Sequence, residues 1–198
     1  MTAAHPSASS APSALFTPTE SADVQRARQI AETVPDPELP MLTLADLGVL
    51  REVQITPDGT VIASLTPTYS GCPAIAPMRA QVAAQLREAG FERVQIRTVL
   101  SPPWTTDWIT AEGRRKLAQH GIAPPTSTAG HATATSTAAA TQPVPLAMPT
   151  LRRPAPVVPC PQCGSADTEQ TSRFGATPCK ALWRCRACLE PFEYVKEI

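Results

Sequence analysis

Four cysteines near the C-terminus constrain this chain more than any other feature. They read Cys160-Pro-Gln-Cys163 and Cys185-Arg-Ala-Cys188, two C-x-x-C pairs separated by 21 residues. Four thiolates so spaced can surround one zinc ion tetrahedrally at ~2.3 Å. A module this small rarely folds without a staple, and zinc supplies one with an apparent binding energy of about 10–16 kcal/mol. The pattern is that of a zinc ribbon with a spacer slightly above the usual range. Gly164 fits a tight turn after the first pair, and residues 181–184 and 191–195 read as short strands around the second. Two other uses of the same donors stay open. One is a pair of disulfides, rare in a reducing compartment; the other is an iron–sulfur centre. Cys179, a fifth cysteine in this region, reads as a free core thiol or as an alternative ligand.

The rest of the chain divides by composition. Of its 198 residues 23 are proline, which argues against one compact body. Residues 1–18 are rich in Ala, Ser, Pro and Thr and read as a disordered tail. Residues 124–158 are rich in Ala, Thr and Pro, with Arg152 and Arg153 as their only formal charges, and read as a linker. That leaves a front domain over 19–123 and a ribbon over 159–198. Basic and acidic residues balance at 17 each, so no whole-chain field favours nucleic acid or a membrane surface. Within the tail they balance at five each, which counts against the basic face a nucleic-acid-binding ribbon needs. No apolar run approaches the ~20 residues of a membrane span, and the first residues lack a signal-peptide pattern. A cytoplasmic protein is expected.

The front domain alternates helical and strand periodicity. Thr17 and Glu20 have capping-box spacing, and Val24, Ala27, Ile30, Ala31 and Val34 then share one helical face, giving a helix over 20–33 that Pro35 stops. Pro35, Pro37 and Pro40 exclude regular structure and hold Asp36 and Glu38 on a stiff loop. Asp46 and Gly48 lead into a strand through Val49, Val53 and Ile55. A Pro-Asp-Gly turn at 57–59 returns it as the Val61, Ala63, Leu65 strand of a hairpin. Ile75, Met78, Val82, Leu86 and Ala89 mark a second helix over 74–89, closed by Gly90. Val94, Ile96 and Thr98 make a third strand, and a short helix over 111–120 ends at Gly121. The fold class is α/β (α+β): a small two-layer α-β-β-α-β-α domain plus the C-terminal ribbon.

Between the second strand and the second helix runs Thr66-Pro-Thr-Tyr-Ser-Gly-Cys-Pro73. Cys72 is the only cysteine outside the ribbon region, and Pro73 suits the first helical position. A thiol in the first turn would face unpaired N–H groups and the positive end of the helix dipole, which favour thiolate. The alternative is a small buried hydrophobe, the usual fate of a free cysteine. Asp36 and Glu38 read equally as hard-metal ligands or an acidic docking lip, and as solvated charges on a capped turn. Asp46 reads as a cap. Trp104 and Trp108, with Asp107 between them, read as core or as an exposed partner-binding surface. No nucleophile–His–Asp set accompanies these groups, so no catalytic site is expected.

The segments DPELPMLTLADLGVLREV and TPTYSGCP resemble the metal–sulfur cluster assembly domain of iron–sulfur maturation factors. Together with SPPWTTDWITAEGRRKLAQHGIAPP, CPQCGS, SRFGATPCKALWRC and EPFEY, they are similar to the PaaD family, a component of the phenylacetyl-CoA epoxidase systems of phenylacetate catabolism. The likeness covers about residues 30–125 and 160–197. It implies a non-enzymatic assembly factor for a multicomponent oxygenase whose subunits carry di-iron, flavin and [2Fe–2S] centres. The oxygenase and reductase subunits would be its partners. The matched positions are Asp36, Glu38, Asp46, Thr66, Thr68, Cys72 and the four ribbon cysteines. The expected cofactors are one structural zinc per chain and a transient iron ion or iron–sulfur cluster. A single Cys72 cannot hold a cluster that needs about four ligands, so either two copies share one as a homodimer, a partner completes the set, or Cys72 hands on sulfur or metal. The alternatives are a structural or electron-relay subunit of the oxygenase and, against the charge balance, a nucleic-acid-binding ribbon.

Overall fold

The computed structural model describes residues 21–126 and 156–198. The Thr17–Glu20 capping box and most of the linker lie outside the described residues. The first helix, α1 (Ala22–Glu32), is instead capped by Ser21, whose side chain accepts from the Val24 N–H. Ala27, Ala31 and Val34 are fully buried on the expected face. After the proline loop come β1 (Leu50–Ile55) and β2 (Val61–Leu65), an antiparallel hairpin with a bulge between Leu50 and Glu52. The chain then runs through α2 (Ile75–Glu88) to β3 (Val94–Thr98), which pairs parallel to β2. A helix supplies the crossover that a parallel pair requires. The sheet order is β1-β2-β3, and central β2 is buried along its whole length. Helices α1 and α2 pack on each other and on this sheet.

A single 3-10 turn (Thr106–Trp108) precedes α3 (Ala111–Gln119), which Thr110 caps by accepting from the Gly113 N–H. The expected α-β-β-α-β-α order is therefore present. A two-residue strand the sequence did not suggest follows it: β4 (Ile122–Ala123). The ribbon strands are β5 (Thr168–Ser172), β6 (Lys180–Cys185) and β7 (Pro191–Val195). Strand β5, composed of polar residues, had no apolar signal to announce it. All four strands form one sheet in the order β4-β7-β6-β5, with Ile122 and Ala123 paired in parallel to Glu193 and Tyr194.

The front domain and the ribbon are consequently joined by a shared sheet. Val195 belongs to the front-domain core, whereas Ala123 belongs to the ribbon core with Val158, Trp183, Phe192 and Tyr194. Val158, placed in the linker by composition, is fully buried there. The last residues seal the junction. The Thr106 N–H donates to the Ile198 carbonyl at 3.4 Å, and the Thr126 hydroxyl donates to Glu197. Arg114 ties α3 to this seam by donating to the carbonyls of Pro125 (2.5 Å) and Thr106 (2.7 Å).

Candidate metal-handling sites

The four knuckle cysteines converge. Their sulfurs lie within 4.8 Å of one another, with Cys160–Cys188 at 3.7 Å and Cys163–Cys185 at 3.6 Å. A zinc tetrahedron with ~2.3 Å arms has edges of about 3.8 Å, so this donor set fits the ion. Backbone geometry repeats at both knuckles: Gly164 (φ 74°) and Leu189 (φ 65°) each follow the second cysteine of a pair in the left-handed region. The Cys185 and Cys188 thiols are driven in opposite directions. Cys185 is pulled down to about 6, first by the Cys188 N–H. Cys188, although the Glu190 N–H lowers it, is pushed up to about 12 by burial and the other three thiols. A cation that binds thiolate resolves this competition, and the ribbon is a four-cysteine zinc site. Cys179 is not one of the clustered four.

The second site is built by the loop between β2 and α2. Gly71 turns the chain with φ 86°. The Cys72 N–H donates to the Tyr69 carbonyl at 3.2 Å, and the Ile75 N–H reaches the Cys72 carbonyl at 3.4 Å. These successive turns delay the helix. Ala74 is the N-cap and makes no side-chain capping bond, so Cys72 and Pro73 stand outside the helix rather than in its first turn. The expected thiol inside the first turn is thus corrected by two residues. Cys72 is half-buried.

Cys72 lines a partly open cavity of about 40 Å³. Asp36 and Glu38 reach it from the proline loop, Thr68 and Tyr69 from the same loop as Cys72, and Trp104 from beyond β3. That volume has room for a few waters, and the exposed wall of the cavity is almost wholly apolar. Asp36 is buried, and its Oδ1 accepts from the N–H groups of Glu38 (2.8 Å) and Leu39 (2.7 Å). Burial raises its carboxyl above the usual range in spite of those two bonds. Burial also raises the Tyr69 phenol, followed by the charges of Cys72 and Cys179 and a hydrogen bond with Cys72.

Other sequence-selected residues fall elsewhere. Thr66 is buried behind this loop and lines a neighbouring groove, and its hydroxyl has no hydrogen-bond partner among the described residues. Asp46 does not line the cavity. It accepts from the Thr43 N–H at 3.0 Å and pairs with Lys116 at 2.7 Å, which makes it a clamp between the 43–46 turn and α3. The exposed tryptophan pair is not formed. Trp104 is buried and donates through Nε1 to the Leu47 carbonyl at 2.8 Å. Trp108 is half-buried beneath the Arg51 guanidinium, 3.5 Å from its ring centroid, and Asp107 lies exposed beside it. Sequence reasoning missed the ribbon residues that close the cavity, among them Thr177, Cys179 and Lys180. The one available signal was a fifth cysteine belonging to neither C-x-x-C pair.

An α+β domain carrying one loop thiol beside a small cavity, joined to a ribbon with four clustered cysteines, defines a two-module protein with a metal-binding ribbon. Residues 25–97 match the model for the iron–sulfur cluster assembly protein family, and residues 146–196 match that for the PaaD zinc beta ribbon domain. The chain is 42% identical over 82% of its length, and 86% of the relative's, to the Escherichia coli K12 protein named as the D component of 1,2-phenylacetyl-CoA epoxidase. It belongs to that PaaD family. It is also 31% identical, over 45% of its length and 85% of the relative's, to an Fe-S protein maturation auxiliary factor of Porphyromonas gingivalis. Among solved structures, a DUF59 domain from Bacillus anthracis aligns with 48% of this chain and 90% of its own, at 22% identity and a TM-score of 0.44. A conserved hypothetical protein from Thermotoga maritima aligns with 47% of this chain and 91% of its own, at 24% identity and a TM-score of 0.41.

Proposed function

We propose that the chain is a non-catalytic accessory factor that matures an iron–sulfur or di-iron centre of a phenylacetyl-CoA epoxidase, passing the metal cargo through Cys72. The observation that carries this reading is the half-buried Cys72 thiol on its glycine–proline loop, at a small cavity that the buried Asp36 also lines. The relatives support it: one is named for the epoxidase and another for iron–sulfur protein maturation. An incomplete ligand set also suits transfer, because a carrier must release what it binds. The oxygenase or reductase subunits are the clients, met transiently rather than as fixed partners. No helix among the described residues is long and apolar enough to cross a membrane.

The test is co-production of the epoxidase subunits with the wild-type chain or with Cys72→Ser. The variant is expected to fold, keep one zinc per chain and leave the epoxidase short of iron. Epoxidase iron and turnover at wild-type levels with Cys72→Ser would overturn the reading.

A further inference from the structure

The cavity beside Cys72 is partly open, and Leu39, Met78, Trp104 and Val195 contribute to its apolar wall. Such a space gains by exchanging its water for an aliphatic group. Room for a few waters is room for about three or four carbon atoms, the size of a valine or leucine side chain. The apolar surface continues outside. Leu100 is 63% exposed and Ile198 49%, and both line a groove of about 240 Å³ along the 66–70 loop. Thr68, Tyr69, Trp104 and Ile198 line groove and cavity alike, so the two adjoin. Charge at the cavity is one-sided. Glu38 lines it, is exposed and makes no ion pair among the described residues. The two lysines that also line it are engaged. Lys180 Nζ pairs with Glu193 at 2.7 Å, while Lys196 Nζ donates to the Arg173 carbonyl at 3.2 Å and lies over the Phe174 ring.

We infer that this face docks the client protein, seating one valine- or leucine-sized side chain of the client in the cavity and setting a lysine or arginine of the client against Glu38. The inference rests on the proposed transfer function and names how the client is recognised. Wall and volume suit an aliphatic group. The adjoining groove takes the client chain on one side of that anchor and covers Leu100 and Ile198, a patch of the kind that marks interaction sites. The unpaired Glu38 calls for a basic neighbour, and a charge at the rim of an interface acts chiefly on the rate of encounter. An anchor seated here brings the client residues next to it beside Cys72, which lines the same cavity. Both modules build the pocket, since Thr177 and Val195 line it from the ribbon strands and their connecting loop. Recognition of the client therefore depends on a docked ribbon.

The test measures binding kinetics of the reduced, zinc-loaded full chain with the purified metal-free oxygenase and reductase subunits of the epoxidase. Thr177→Phe puts a ring at the cavity wall and is expected to weaken binding at least ~10-fold through faster dissociation, the mark of a lost anchor. Glu38→Lys changes an exposed position and is expected to slow association about 10-fold at low salt, with the gap closing as salt rises. Should Thr177→Phe lose its zinc, Glu38→Lys alone decides. Wild-type kinetics in these variants, or no binding of either subunit by the wild type, would overturn the docking site. Self-association of the wild type that both variants abolish would overturn it as well, by putting a second copy in the client's place. Cys72→Ser separates this site from the transfer role. Low epoxidase iron with Cys72→Ser, beside wild-type kinetics in both docking variants, removes the docking site alone. Normal epoxidase iron with Cys72→Ser, beside weakened binding in both, removes the transfer role and keeps the docking site.

Discussion

Ile122 of the front domain lies in parallel register beside Glu193 of the ribbon, so one sheet spans both modules. Their contents are also interleaved, with Val195 buried in the front core and Ala123 in the ribbon core. The metal in the ribbon therefore bears on the stability of the whole chain. Chelating the zinc is expected to unravel β5, β6 and β7 and to release β4. The front domain should then lose about 1–3 kcal/mol, the worth of re-exposing a buried side chain such as Val195. Hydrogen exchange checks this: the Ile122 and Ala123 amides should lose protection on chelation while those of β2 keep theirs. Unchanged protection in β4 would contradict it.

Gly113 brings α3 close against the 43–46 turn. A Cβ there would stand 2.8 Å from the Asp46 carbonyl oxygen and 3.2 Å from its Cβ. Gly113→Ala gains up to ~1 kcal/mol in helix propensity. The clash is with backbone, which cannot rotate away, and overpacking of this kind costs about 1–3 kcal/mol. Urea denaturation should show net destabilisation. A more stable Ala variant would mean that α3 can shift outward freely.

The Asp46 carboxylate carries a pH signature. Burial raises its pKa, but the hydrogen bond from Lys116 and those of Thr43 outweigh it and leave the group below the usual range. A lowered folded value contributes stability that is present above the unfolded value of ~3.9 and is lost as pH falls through the folded one. Asp46→Asn should therefore cost about 1–3 kcal/mol at pH 7 and converge on the wild type in strong acid. Denaturation curves across that range test the convergence.

Asp36 has the opposite sign. Burial raises its folded value, so the stability it contributes is full below the unfolded value and falls away as pH rises through the folded one. Asp36→Asn retains an acceptor for the Glu38 and Leu39 amides and should equal or exceed the wild type in stability at pH 7, with the gap closing in acid. Asp36→Ala strips both bonds and should be about 1–2 kcal/mol less stable than the Asn variant. An Asn variant clearly weaker than the wild type at pH 7 would mean that the carboxylate has a stabilising charge partner.

Much of this architecture could be read from local pattern. The period of α1, the Pro-Asp-Gly hairpin, Gly90 after α2 and the two C-x-x-C pairs each act over a few residues, and each appears where its spacing placed it. The misses have physical reasons. The start of α2 slipped because stacked turns at Tyr69–Ile75 compete with the helix, a balance that Pro73 alone does not reveal. Core packing was expected of at least one tryptophan, but not of which, because nothing in SPPWTTDW shows that Leu47, 57 residues before Trp104, offers its carbonyl to the indole.

Local chemistry in the chain determined the helices, the hairpin, the zinc ligands and a reactive-looking thiol on a glycine-proline loop, because capping, periodicity and metal chelation act between near neighbours. Tertiary structure alone decided that Cys179 lines the same cavity as Cys72. Those residues are separated by a long Ala/Thr/Pro-rich tract, and only the pairing of β4 with β7 and the burial of Val195 bring the ribbon back against the front domain. Such docking is driven by apolar area removed from water, which has no sequence period of its own.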